Sequence, residues 1–197
     1  MDHAVSAVLA RYHDSMQRRE PLVPGGRHEP LLAVGPETGQ LLYLLVRSLD
    51  KPLVLELGTS FGYSGIWLAD AARAAGGRVI SMELHPHKAE IASRMATEAG
   101  LASFIEFRTG DAVQLIDELR DRIHFVLVDL WKDLYVPCLE AFYPKLADGA
   151  LIVADNMIYP GGADVHQYAA AIRAKPGMSS VLLPVGSGLE LSRYEAG

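Results

Sequence analysis

The sequence predicts an α/β fold, a mainly parallel sheet with helices on both faces and an antiparallel hairpin at one edge. Two observations predict it. From Leu53 onward short β-rich runs alternate with helical stretches, a rhythm that lays successive strands side by side in parallel with the helices as crossovers. Near the end the rhythm breaks. The runs Ser179 to Val185 and Leu189 to Tyr194 are separated only by Gly186, Ser187 and Gly188, too short for a parallel crossover. Half of the 197 residues are apolar, enough to bury a sizeable core, and the length fits one domain over 1–197.

In chain order, residues 2 to about 19 place Val5, Val8, Leu9, Tyr12 and Met16 on one face of an amphipathic helix. Pro21, Pro24, Gly25, Gly26 and Pro30 make Glu20 to Pro30 a loop, so residues 1–31 read as a helix followed by a lid-like segment that also carries His28. Val34-Gly35-Pro36 introduces a helix through Leu49, with Pro36 at the first turn, where its missing N–H does no harm. The strand Leu53 to Leu57 follows, then a helix from Tyr63 to about Ala75 and a strand from Arg78 to Glu83. Next come a helix from Pro86 to Ala99 closed by Gly100, a strand from Phe104 to Arg108 and a helix from Ala112 to Arg120. The strand His124 to Asp129, a helix over about Leu134 to Leu146 and the strand Ala150 to Ala154 complete the alternation, and a helix from about Asp164 to Ala174 leads into the hairpin.

The formal charge of -6 argues against nucleic acid or an anionic membrane as the main partner, and Arg11, Arg18 and Arg19 form only a small basic cluster. Cys138 is the single cysteine, so no internal disulfide forms. With no signal-peptide pattern and no apolar run near the ~20 residues a membrane span needs, the expectation is a soluble cytoplasmic protein, monomer or homodimer.

Glycines in the run from Leu53 to Gly65 are spaced Glu56-x-Gly58-x-x-x-Gly62. This is neither the G-x-G-x-x-G of dinucleotide folds nor a P-loop, which lowers the expectation of a nicotinamide or flavin cofactor. What remains is a turn open enough for an uncharged or zwitterionic group to lie against Gly58, with Ser64 able to bond a carboxylate; the plainer reading is a tight strand–helix connection. Glu83 ends the second strand, where an acidic residue can accept bonds from both ribose hydroxyls, or simply cap the Pro86 helix. Asp111, in Gly110-Asp111-Ala112, lies where an adenine would reach, and equally suits an N-cap.

Two further strands end in polar clusters, Asp129-Leu130-Trp131-Lys132-Asp133 and Asp155-Asn156. Ligands of parallel sheets bind at the carboxyl ends of strands, so both clusters should face the crevice of the glycine turn. Two carboxylates and an amide oxygen form a hard, all-oxygen set suited to Mg²⁺, although strand-end Asp and Asn also serve as caps and turn formers. Asp155 and Asn156 can reach one ion only where the strand has already become loop, because adjacent residues of a strand face opposite ways. Lys132, in the same crevice, is a candidate base or a solvated surface lysine, and Trp131 a flat surface for a ring or a core filler.

These residues together carry a resemblance. Leu53-Val-Leu-Glu-Leu-Gly-x-x-x-Gly-Tyr-Ser64, Met82-Glu83, Asp129-x-Trp-Lys-Asp133-x-Tyr135, Ala154-Asp-Asn156 and Pro160-Gly161 resemble the cation-dependent, S-adenosylmethionine-dependent O-methyltransferases, and most of all the catechol O-methyltransferase branch. The similarity spans roughly Val34 to Tyr194. It implies a Rossmann-like seven-stranded sheet whose last strand runs antiparallel. It also implies that Glu56, Gly58 and Ser64 hold the methionine end of S-adenosylmethionine, with backbone contacts from Val34, that Glu83 binds the ribose, and that Ala112 beside Asp111 borders the adenine. Asp129 and Trp131 would complete the cofactor's surroundings; Asp129, Asp155 and Asn156 would bind Mg²⁺ or another divalent cation, and Lys132 would be the general base.

The reaction so implied is an in-line methyl transfer from a sulfonium to a phenolic hydroxyl, whose rate depends on holding oxygen, methyl and sulfur nearly collinear. A cation binding two vicinal oxygens fixes that geometry and lowers the pKa of the attacking hydroxyl, which makes a catechol-like small molecule the expected acceptor. In the catechol branch a glutamate before the final hairpin bonds the second hydroxyl; here the connection is Pro184-Val-Gly-Ser-Gly188, and Glu190 falls inside the last strand. Ser60 and Leu130 also differ from residues common in that branch. A larger phenolic acyl-thioester or natural product is the alternative acceptor, and a non-catalytic S-adenosylmethionine-binding protein the alternative class.

Overall fold

The computed structural model describes residues 2–22, 29 and 31–197. Seven strands form one sheet: β1 (Leu53–Leu57), β2 (Arg78–Glu83), β3 (Ile105–Thr109), β4 (Ile123–Val128), β5 (Leu146–Ala154), β6 (Met178–Leu183) and β7 (Leu189–Tyr194). They lie in the order β3-β2-β1-β4-β5-β7-β6. The first five are parallel, and β7 runs antiparallel to both β5 and β6, so the expected hairpin forms the sheet edge with β6 outermost.

Helices α1 (His3–Arg18), α2 (Pro36–Arg47), α3 (Tyr63–Ala74) and α4 (Pro86–Glu98) cover one face, and α5 (Ala112–Asp117), α6 (Tyr135–Phe142) and α7 (Ala163–Arg173) the other. Alternation along the strands explains the two cores. Val54, Val79, Phe125 and Val153 pack with Val8, Leu42 and Leu68, whereas Leu55, Ile80, Val126 and Ile152 pack with Ile116, Leu139 and Ile172. Glu56, Ser81 and Glu83 therefore fall on the α3 face, where continued alternation would otherwise place apolar residues.

Boundaries differ from the sequence expectation where side chains or prolines intervene. The helix expected over Leu134 to Leu146 is a 3₁₀ turn at Lys132–Leu134, then α6, then a second 3₁₀ turn at Tyr143–Lys145, because Pro144 has no N–H to continue an α-helix. Helix α5 stops at Asp117, short of Arg120, and Lys145 Nζ bonds the carbonyls of Asp117 and Leu119. Strand β5 begins at Leu146, not Ala150, and accommodates a register shift against β4 with Gly149 at φ +75°. Of the expected lid-like loop, Pro24, Gly25, Gly26, His28 and Pro30 lie outside the described residues. Among the described residues, no helix is long and apolar enough to cross a membrane.

Candidate active site

The sheet order reverses between β1 and β4, and the crevice at that point collects the carboxyl ends of β1, β2, β4 and β5. Backbone bonds hold the strand ends together: Gly58 N–H donates to Met82 O, Asp129 N–H to Leu57 O and Asp155 N–H to Val128 O. Gly58 is required there. Its φ is +99°, and a Cβ would lie 2.1 Å from Asp129 O.

Glu56 is fully buried and accepts bonds from Ser64 Oγ at 2.5 Å and from Ser81 Oγ. Ser81 gives its one hydrogen to that carboxylate, so Thr59 is the donor in the 2.5 Å contact between the two hydroxyls. Burial pushes the Glu56 carboxyl up to about 7 against the opposing effect of the two hydroxyls, and the charges of Asp129 and Glu83 add to the rise. Glu83 spans the turn: Oε2 accepts from Ser60 N–H at 2.8 Å and Oε1 from His85 N–H at 2.9 Å, where His85 is the N-cap of α4. Ser60 sits in the left-handed region at φ 49°. Asp111 is the N-cap of α5, its carboxylate accepting from Gln114 N–H at 3.0 Å, with Ala112 half-buried beside it. Val34 is buried, and Trp131, at 68% exposure, fills no core.

At the ends of β4 and β5 a second cluster is tied through one lysine. Lys132 Nζ donates to Asn156 Oδ1 at 2.6 Å, to Tyr135 Oη at 2.7 Å and to Leu130 O at 3.1 Å, and lies 3.6 Å from Asp129 Oδ1. Tyr135 Oη in turn donates to Asp155 O at 3.0 Å. Strand β5 ends at Ala154, so Asp155 and Asn156 lie in the loop that follows, with Asn156 at φ 60°; Asp155 Oδ1 accepts from Asn156 N–H at 2.7 Å. Burial raises the Asp155 carboxyl to about 7, helped by the charge of Asp129, and raises Asp129 against the pull of Lys132. Burial lowers the Lys132 ammonium, resisted by Asp129 and Asp155. Two crowded carboxylates thus share one lysine as cation. Among the described residues no three His, Cys, Asp or Glu side chains gather as a metal-binding group; the donors here are two carboxylates and an amide oxygen, a set that fits a hard cation retaining water ligands.

A family model described as O-methyltransferase matches residues 25–194, nearly the whole of this fold and every candidate site residue. The chain belongs to that family. This family member is 34% identical over 166 residues to the catechol O-methyltransferase of Niastella koreensis, a match covering 82% of this chain and 74% of that protein. It is 32% identical over 142 residues to the catechol O-methyltransferase of Bos taurus, covering 68% of this chain and 52% of that protein, so the chain spans about half the length of the bovine relative. The crystal structure of the O-methyltransferase from Bacillus cereus in complex with SAH superposes with a TM-score of 0.79 at 25% identity, covering 99% of this chain and 92% of that one.

In this O-methyltransferase-family chain the structure gathers Glu56, Gly58, Ser64 and Glu83 at one turn, and Asp129, Lys132, Asp155 and Asn156 at the adjoining strand ends. Other contributors have roles that the motifs do not assign. Ser81 sits opposite Glu56 in the β1–β2 register, a relation that strand alignment alone can supply. Tyr135 holds Lys132, and the short connection before β7 holds the segment after the cluster: Gly188 O accepts from Met157 N–H, and Ser187 O from Ile158 and Tyr159 N–H. A Cβ at Gly188 would lie 2.4 Å from Ile158 Cγ1. Glu190 is buried on β7 and receives two bonds from Arg173, at 2.7 and 2.8 Å.

Proposed function

We propose that the protein transfers the methyl group of S-adenosylmethionine to a hydroxyl of a catechol-like small molecule, with Mg²⁺ as its cation. The observation that carries this reading is the convergence of Asp129, Lys132, Asp155 and Asn156 at the ends of neighbouring strands, beside the Gly58 turn. In this reading Glu56, Gly58, Ser64 and Val34 seat the methionine end, Glu83 the ribose, and Asp111 and Ala112 the adenine, with Asp129 and the exposed ring of Trp131 completing the cofactor's surroundings. Asp129, Asp155 and Asn156 hold the cation, which when bound supplies a chelating site for two vicinal oxygens and makes the attacking hydroxyl more acidic.

The chain's own residues do the rest. Burial favours the neutral form of Lys132, and in that form Nζ takes the hydroxyl proton and becomes the ammonium as the O–CH₃ bond forms and the S–CH₃ bond breaks, leaving a neutral thioether. Tyr135 and Asn156 aim that nitrogen from two sides. The buried free thiol of Cys138 suits a cytoplasmic setting, and the protein works as a monomer or homodimer.

A methyltransferase screen of phenols with and without Mg²⁺, read by mass spectrometry, tests the reading. Products from catechols that vanish in EDTA are expected. The panel includes a phenolic acyl-thioester because the Pro184–Gly188 connection carries no carboxylate to select a small diol. Binding of S-adenosylmethionine with no turnover of any phenol would leave a cofactor-binding protein.

A further inference from the structure

We propose that Tyr12, on the helix α1 that supplies none of the candidate site residues, is a positioning residue for the cofactor turn: its phenolic O–H fixes the Phe61–Gly62 peptide in the orientation that receives S-adenosylmethionine. The proposal rests on the reading of that turn as the cofactor's seat.

Tyr12 is completely buried, and its Oη donates to Phe61 O at 2.6 Å. The N–H of the same peptide, on Gly62, donates to Thr59 O at 2.9 Å. Both polar atoms of the peptide are therefore engaged, and its plane cannot rotate without breaking a buried bond. Gly62 takes φ +92°, and a Cβ there would meet Ala92 Cβ at 2.8 Å and Tyr12 Oη at 3.3 Å, so the turn is wedged between α1 and α4. On the far side of Gly62, His13 Nε2 lies 2.8 Å from Tyr63 Oη, and the Tyr12 and Tyr63 rings meet edge to face at 5.5 Å.

The fixed peptide sits between two candidate ligand contacts. Gly62 is the N-cap of α3, and the carbonyl of the next peptide, Gly62–Tyr63, accepts the first helical bond, from Ile66 N–H, so the fixed Phe61–Gly62 peptide immediately precedes the start of α3. Ser64, two residues on, is then delivered to Glu56. On the other side Ser60 is held in a left-handed conformation by its bond to Glu83. A β-branch-free but non-glycine residue at positive φ persists only where its surroundings over-determine it, and Tyr12 supplies part of that constraint. Burial keeps the Tyr12 phenol protonated, and hence a donor, across the working pH range.

The test is calorimetry with S-adenosylhomocysteine and steady-state kinetics on Tyr12→Phe, which keeps the buried ring and deletes the hydroxyl. The expected result is a rise of about tenfold in the S-adenosylhomocysteine Kd and in KM for S-adenosylmethionine. Acceptor KM, and kcat at saturating donor, should move by about twofold or less. Val8→Ala, which loosens the same helix in the core away from the turn, should lower Tm while leaving the Kd as in the wild type. Equal affinity in wild type and Tyr12→Phe overturns the proposal, as does an equal loss in Val8→Ala. If Tyr12→Phe does not fold, hydrogen exchange on the wild type decides: ligand binding should slow exchange in α1 around Tyr12 together with residues 58–64, and an unaffected α1 overturns the proposal. A wild type that does not bind S-adenosylhomocysteine at all contradicts instead the reading of the turn.

Discussion

Lys132 Nζ donates to Asn156 Oδ1 across 2.6 Å, tying the end of β4 to the loop that follows β5. A lysine so placed can relay a proton only from an oxygen held beside both residues, which is where Asp129 and Asp155 would present an acceptor. Lys132→Gln should therefore lower kcat by roughly 10²–10⁴-fold, the range for loss of a positioned general base. Its S-adenosylhomocysteine affinity, measured by calorimetry, should match the wild type.

Tyr135→Phe removes the Lys132 partner at 2.7 Å and the donor to Asp155 O. The ring still fills its place against Tyr168, with centroids 5.4 Å apart. A fall in kcat of about tenfold is expected, smaller than for Lys132→Gln because the base is misaimed and not removed. Steady-state kinetics at saturating donor and acceptor checks it.

The fold was largely legible in the sequence, and the site in part. Alternating runs and a three-residue connector are local signals, and they place all seven strands. Asp129, Lys132, Asp155 and Asn156 stand out through the combined Asp-x-Trp-Lys-Asp and Asp-Asn pattern, since a lone strand-end Asp or Asn also serves as a cap or turn former. Tyr12 and the Ser81–Glu56 bond were not legible, since each depends on which elements pack together. The end of α5 likewise depends on a tertiary contact, from Lys145, whereas the break at Pro144 follows from a local cause, the proline's missing N–H.

Glu56 gives the unliganded protein a pH dependence of defined sign. Its folded-state pKa, about 7, lies above the ordinary carboxyl value, so between the two the folded state keeps a proton that the unfolded chain releases. Its contribution to stability is best below the unfolded value, declines as pH rises toward about 7 and is level beyond. The difference should be on the order of 3 kcal/mol. Thermal melts of wild type and Glu56→Gln in metal-free buffer from pH 4.5 to 8 check it: the slope of the wild type should be the steeper. Donor affinity should run the other way, rising through pH 7 as the carboxylate forms to face the ligand's ammonium.

Glu190, which has no exposed side chain, is paired with a half-exposed Arg173. Arg173→Met leaves a buried carboxylate without its cation and should destabilise the fold by about 2 kcal/mol, reduced from the cost of a fully buried pair by the exposure of the arginine. Urea unfolding reads the loss. An unchanged preference among phenols in the same variant would place Glu190 in the scaffold, apart from acceptor choice.

The claim that the two carboxylates and Asn156 hold a cation that enables methyl transfer is tested most directly by one assay. Wild type and Asp155→Ala are incubated with S-adenosylmethionine and a catechol, in Mg²⁺ or in EDTA, and the O-methylated product is counted by mass spectrometry. The account predicts product from the wild type in Mg²⁺, and a loss of at least about 10²-fold in EDTA or in Asp155→Ala. Methyl transfer at the same rate in all four conditions would contradict it.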